Sequence, residues 1–192
     1  METVLAKPSG SQPDRPGISY DKREDISYFK GFDWSKATKE DSVHFARATG
    51  FKETGMSVNE IGLMYDLLEA KKPKTIVELG RNYGTSTRLF MQHVIRHGGY
   101  VESWDLKHWD GFLETMAENG YDFVSTTSPG EQYASYRHDA DVLLRVAHSI
   151  KSPMSAHIEK RGIDFLLIDT EHAIENALPE YCRWREYLNS GA

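Results

Sequence analysis

Apolar residues recur at helical spacing between Ser57 and Pro73, where Ile61, Met64, Leu67 and Leu68 share one side of a 3.6-residue period. Ser57 and Glu60 precede them in the spacing of a capping box, in which hydroxyl and carboxylate each satisfy a free backbone N–H. Pro73 ends the run, because it lacks a donor and restricts its predecessor. The rhythm then changes. Thr75–Gly80 is short, apolar and partly β-branched, which predicts a buried strand. A helix follows over Ser86–His97, stopped by Gly98-Gly99, then a strand over Tyr100–Asp105 and a helix from about Trp109 to Asn119, closed by Gly120. A weaker strand at Tyr133–Arg137 leads to a helix over Asp141–Ile150, a strand over Asp164–Asp169 and a last helix from about Ile174 to Leu188. Strands alternating with helices predict an α/β fold, a parallel sheet wrapped on both faces.

Residues 1–28 differ: Pro8, Gly10, Pro13, Pro16 and Gly17 lie among polar neighbours, which predicts a flexible arm. From residue 29 aromatic positions return, among them Phe32, Trp34, Phe45 and Phe51, and predict short helices packed on the domain that runs to residue 192. A length of 192 residues, 39% hydrophobic and 27% charged, suits one globular domain. A formal charge of −6 argues against a broad phosphate-binding surface, so nucleic acid is a poor partner. Cys182 is the single cysteine, which excludes an intramolecular disulfide and fits a reducing cytoplasm. No apolar run reaches the roughly 18 residues of a membrane span, and the N-terminus lacks a signal-peptide core, so no membrane partner is expected.

Candidate chemistry gathers where strands end. Val77-Glu78-Leu79-Gly80-Arg81-Asn82-Tyr83-Gly84-Thr85-Ser86 is an apolar strand that ends in an acid and opens a glycine turn before a helix. Gly80 and Gly84 permit close backbone approach, and the helix N-terminus favours an anion. A P-loop needs a lysine that Gly84-Thr85-Ser86 lacks, and a dinucleotide fingerprint needs glycine where Asn82 and Thr85 stand. Asp105 closes the next strand 21 residues after Gly84, near the spacing at which an acid meets ribose hydroxyls. A helix cap or surface acid is the plain alternative for Asp105, and likewise for Asp139 in His138-Asp139-Ala140. The strand Asp164–Asp169 delivers Asp169 and His172 at its carboxyl end. His93, His97, His108 and His157 show no ligand pattern and are read as structural.

The turn Glu78, Gly80, Gly84 and Ser86 resembles motif I, E-x-G-x-x-x-G-x-S, of class I S-adenosylmethionine-dependent methyltransferases, closest to the small-molecule O-methyltransferases. His138-Asp139-Ala140 resembles their third-strand G-D-A, with histidine replacing the glycine. Ile168-Asp169-Thr170-Glu171-His172 and the later Trp184-Arg185-Glu186-Tyr187-Leu188 resemble the I-D-x-x-H and W-x-x-Y-L of sugar and antibiotic O-methyltransferases. The resemblance implies a Rossmann-like doubly wound sheet of strand order 3-2-1-4 and S-adenosylmethionine as cofactor. Glu78 would lie near the methionine ammonium, Ser86 near its carboxylate, Asp105 at the ribose and Asp139 at the adenine amino group. Asp169 would bind a magnesium ion (Mg2+) in the manner of metal-dependent members, and His172 would act as base on a small-molecule hydroxyl acceptor.

The likeness runs from about Ser57 to Leu188, whereas the family continues through L-x-x-G-G into a fifth strand with further acidic ligands. The expected sheet is therefore C-terminally incomplete. Three readings stay open: a methyltransferase for a small-molecule hydroxyl such as a sugar's, a noncatalytic adenosine-cofactor-binding or assembly module or fragment of a longer enzyme, and an NAD-dependent oxidoreductase. A homo-oligomer is compatible with all three.

Overall fold

The computed structural model describes residues 32–49, 56–107, 113, 124–125, 131–136, 140–170 and 173–192. The expected arm over residues 1–28, Asp139 and His172 fall outside them, as does the helix near Trp109–Asn119 except for Leu113, which is helical. In chain order the described elements begin with a short 3-10 turn, Trp34–Lys36, and α1, Lys39–Thr49. Next come α2 (Val58–Lys71), β1 (Thr75–Leu79), α3 (Thr85–His97) and β2 (Gly99–Asp105). Then follow β3 (Val124–Ser125), β4 (Glu131–Tyr136), β5 (Ala140–Val146), α4 (Ala156–Arg161), β6 (Phe165–Ile168) and α5 (Ile174–Trp184), which runs into a 3-10 turn at Arg185–Tyr187.

One six-stranded sheet has the order β3-β4-β5-β2-β1-β6. Its centre, β5-β2-β1-β6, is parallel, with Glu78 opposite Ser103 and Leu167 and Val101 opposite Val142. The expected doubly wound, Rossmann-like arrangement is present, and strand order is corrected in one respect. Tyr133–Arg137 was expected beside β2 and Asp141–Ile150 as a helix. Instead β4 turns back antiparallel onto β5, and β5 itself lies parallel to β2. Val142 and Leu144 face one core, while Leu143 packs against the other. A strand buried on both faces presents an unbroken apolar run, which periodicity does not separate from a buried helix. Asp141, a plausible helix start in sequence, instead accepts a 2.7 Å hydrogen bond from the Tyr133 hydroxyl across the hairpin.

Helices cover both faces. On one, Trp34, Phe45, Ile61, Leu68, Phe90 and Met91 form a core with Ile76, Val101, Val142 and Leu144 of the sheet. The aromatic residues expected to pack N-terminally do so: Trp34 is fully buried and its ring lies 4.5 Å from that of Phe45. On the other face Ile158 of α4 and Trp184 of α5 pack against Val77, Leu79 and Trp104, with the two tryptophans edge to face at 5.1 Å. α3 is buried along most of its length, from Thr85 to Val94. A helix enclosed in this way must satisfy its polar side chains internally, and both ends of α3 carry such groups. No helix among the described residues is long and apolar enough to cross a membrane.

α2 begins with the capping box read from sequence. The Ser57 N–H donates to Glu60 at 2.7 Å, and the Glu60 N–H donates to Ser57 Oγ at 3.3 Å. Ile61, Met64 and Leu68 are buried as the period predicts, whereas Leu67 is largely exposed at the edge of that stripe. Ser57→Ala, which removes one cap acceptor, is expected to lower the unfolding free energy by about 1 kcal/mol in urea titration. A change below about 0.3 kcal/mol would show that packing alone fixes this helix start.

Candidate functional site

Four parallel strands bring their carboxyl ends to one edge of the sheet, and a cleft of about 470 Å³ opens there. Gly80, Asn82, Asp105, His148, Asp169 and Glu180 are among its lining residues. Its size lies within the range of small-molecule pockets, and its position is where open α/β sheets bind ligands.

The turn after β1 is shaped by backbone contacts. Gly80 has φ +91, and a Cβ there would stand 2.1 Å from the Asp169 carbonyl oxygen. Only glycine therefore lets the ends of β1 and β6 approach this closely. The Gly80 N–H donates to the Trp104 carbonyl at 2.9 Å, and the Asp169 N–H donates to Leu79 at 2.8 Å, so three strand ends are tied together. Asp105 holds the turn from β2. One carboxylate oxygen accepts from the Arg81 and Asn82 N–H groups at 3.0 and 2.8 Å. The other accepts from Leu106 at 2.6 Å and Lys107 at 3.4 Å.

Beneath the turn lies a buried carboxylate. Glu78 is fully buried and accepts hydrogen bonds from the hydroxyls of Ser86, Thr87 and Ser103, the Thr87 contact measuring 2.6 Å. Ser86 and Thr87 belong to the first turn of α3, and Ser103 sits opposite Glu78 on β2. Burial pushes the Glu78 carboxyl above its ordinary value, against the three hydroxyls and Arg81, which favour the ionised form. Arg81 is also buried and donates to Ser103 O at 2.9 Å and Ser103 Oγ at 3.2 Å.

Across the cleft, Glu180 of α5 joins two loops. It accepts from Ser149, which follows β5, and from Thr170, which follows β6, at 2.6 Å in the second case. His148 borders the same opening, and its Nδ1 accepts from the Ile150 N–H at 3.2 Å.

Of the residues singled out in the sequence, Gly80, Asp105 and Asp169 meet at the cleft. Gly84 caps α3 with left-handed backbone, φ 77. Glu78 and Ser86 lie below the turn, bonded to each other. Asp139 and His172 lie outside the described residues. Among the described residues Asp169 joins no group of three metal-ligating side chains. His148, Thr170, Asn176 and Glu180 were not anticipated. His148 was hidden by reading 141–150 as a helix, since only as the loop after a strand does it reach the carboxyl edge. Glu180 carried the signal of an acid within an amphipathic helix, which is ordinarily a solvated position.

The raised carboxyl of Glu78 has a definite sign in stability. The folded chain holds this proton more tightly than the unfolded chain, so the group removes stability as pH rises above its ordinary value of 4.5. Glu78→Gln is expected to flatten that decline in urea midpoints measured from pH 4.5 upward. A parallel pH profile for the variant would show that Glu78 does not contribute to it.

No curated protein matches the chain. A family model described as a methyltransferase domain matches residues 77–192, from the middle of β1 through the glycine turn, the cleft loops and α5. That span contains the strand ends whose geometry forms the cleft, and on this match the chain belongs to the methyltransferase-domain family.

Proposed function

We propose that the protein is an S-adenosylmethionine-dependent methyltransferase acting on a hydroxyl of a small molecule such as a sugar. The observation that carries this reading is the meeting of Gly80, Asp105 and Asp169 in one cleft at the carboxyl edge of a methyltransferase-family sheet. S-adenosylmethionine supplies an activated methyl group on a sulfonium cation, and carboxylates from Asp169 and Glu180 border a cleft suited to positive charge. Leu106 and Ile150 add apolar surface for a purine face. Gly80 lines the cleft and, lacking a side chain, lets a ligand approach the backbone closely.

Asp105 has a double role in this proposal. A carboxylate offers about four acceptor sites, and four backbone N–H groups already use them. Lys107 makes the longest of these bonds, so a ribose hydroxyl exchanges most readily with that one. Glu78 and Ser86 support binding by fixing the first turn of α3 under the cofactor rather than by meeting it directly. Asp139 is assigned to the adenine end.

Asp169 and His172 follow β6 and are assigned to the acceptor side. His172 takes the proton of the acceptor hydroxyl, whose pKa lies far above 7, while Asp169 orients that hydroxyl. Magnesium prefers octahedral oxygen ligation, and among the described residues Asp169 joins no group of three metal-ligating side chains, so no step is routed through a metal. The acceptor is a small molecule rather than a nucleic acid, consistent with the net charge of −6. The single cysteine suits a cytoplasmic setting.

Calorimetry with S-adenosylmethionine or its demethylated product is expected to give saturable binding that Asp105→Ala weakens by about tenfold or more, a loss of about 1.4 kcal/mol or more. No heat of binding at millimolar ligand with folded protein would overturn the cofactor assignment, and tighter binding of NAD would favour an oxidoreductase. Methyl transfer from labelled donor to a panel of sugars and other small alcohols separates an enzyme from a noncatalytic binding module. His172→Ala is expected to lower turnover by about 100-fold or more with cofactor affinity retained, because a base acts chiefly in the transition state. Unchanged turnover in that variant would remove His172 as base.

A further inference from the structure

At the far end of α3, away from the cleft, His93 and His97 lie one helical turn apart and face Glu69 of α2. Their ligating atoms all lie within 4.8 Å of one another. His93 is fully buried, and its Nε2 faces the Pro73 carbonyl oxygen at 3.2 Å. A carbonyl only accepts, so the ring proton sits on Nε2 and Nδ1 presents a bare lone pair. That Nδ1 makes no hydrogen bond and points toward Glu69 Oε1 at 3.7 Å. The buried Nδ1 lone pair thus faces another acceptor and receives no donor, an arrangement that costs free energy unless a cation lies beside it.

The remaining groups complete a ligand set. Glu69 lies 2.9 Å from His97 Nε2 through its second oxygen, and the rings of His93 and His97 are 4.7 Å apart. We propose that Glu69, His93 and His97 form a binding site for a divalent transition ion of the zinc class, joining α2 to α3. Two imidazoles and a carboxylate are ligands that zinc accepts, and donors around a tetrahedral zinc stand about 3.4 Å apart, close to the spacing between Glu69 and His93. The carbonyl partner of His93 is the ring-orienting bond typical of metal-ligating histidines.

Arg96 is the opposing influence, because its guanidinium donates to Glu69 Oε1 at 2.8 Å and places positive charge beside the ion. The carboxylate retains acceptor sites toward the histidines, and the other guanidinium nitrogen of Arg96 is held by the Ser42 hydroxyl at 3.0 Å, with the guanidinium over the Tyr65 ring. It therefore moderates affinity without filling the site. His97 also borders a polar cavity of about 710 Å³ at the amino edge of the sheet, which gives an ion a path from solvent and room for a water as fourth ligand.

The test uses the untagged full chain, stripped with a chelator and desalted. Zinc chloride titrated by calorimetry is expected to bind at one ion per chain and to raise the thermal midpoint. Cobalt(II) is expected to give visible absorption bands of tetrahedral intensity that zinc abolishes. His97→Gln and Glu69→Gln involve partly exposed side chains. Each should keep the far-ultraviolet circular dichroism of the parent while weakening zinc binding at least about tenfold. His93→Gln is the more demanding variant because the side chain is buried, and the conclusion does not depend on its folding. Absence of saturable zinc binding in the parent would overturn the proposal. So would stoichiometric binding that both His97→Gln and Glu69→Gln leave unchanged.

Discussion

A carboxylate with no access to water sits at the centre of this fold. Glu78 stands one residue before the end of β1, beneath the glycine turn, and is held by hydroxyls from α3 and β2. Removing such a group from water is costly, and hydrogen bonds to a charged acceptor, each contributing about 1.5–3 kcal/mol, offset that cost only when several converge. The requirement fixes three elements at once. β1 and β2 must stay in register so that Ser103 stands opposite Glu78, and α3 must begin at Thr85 so that Ser86 and Thr87 reach back. The cleft-forming turn is the chain that remains between these anchors.

Asp105 acts on the same turn from the opposite side, gathering the N–H groups of Arg81, Asn82, Leu106 and Lys107 around one side chain. One acid therefore supports the turn from beneath and another fastens it at the surface. The same residues that invite a ligand at the strand ends also keep backbone donors satisfied there. This arrangement lets a turn with left-handed residues at Gly80, Asn82 and Gly84 persist.

α3 connects the two edges of the sheet. Its N-terminus supplies the hydroxyls under the cleft, and its last two turns carry His93, Arg96 and His97 beside Glu69. Because the helix is enclosed along most of its length, Ser86 and Thr87 at one end and Arg96 and His97 at the other bond to protein groups, and its position is set by both ends together. The loop after β5 plays a comparable part for the cleft's far wall, where Ser149 and Thr170 share Glu180.

The sequence by itself determined the elements whose signals are local. The capping box of Ser57 and Glu60, the strand at Thr75–Leu79, the glycine turn, and the strand ending at Asp105 all follow from spacing, β-branching and backbone freedom within a few residues. It also placed Gly80, Asp105 and Asp169 at strand ends, because parallel connectivity sends every carboxyl end to the same edge. Tertiary structure decided what local pattern leaves degenerate. Val142 to Val146 is apolar enough for either a helix or a doubly buried strand, and only pairing with β2 and β4 selects the strand. That choice brought His148 to the cleft. Whether Glu78 faces a ligand or the interior depended on the hydroxyls that α3 and β2 bring to it from 8, 9 and 25 residues away. Glu69 likewise meets His93 and His97 only because two helices pack side by side. Contacts of this kind join residues by the geometry of packed elements, and spacing along one chain does not encode the distance between two.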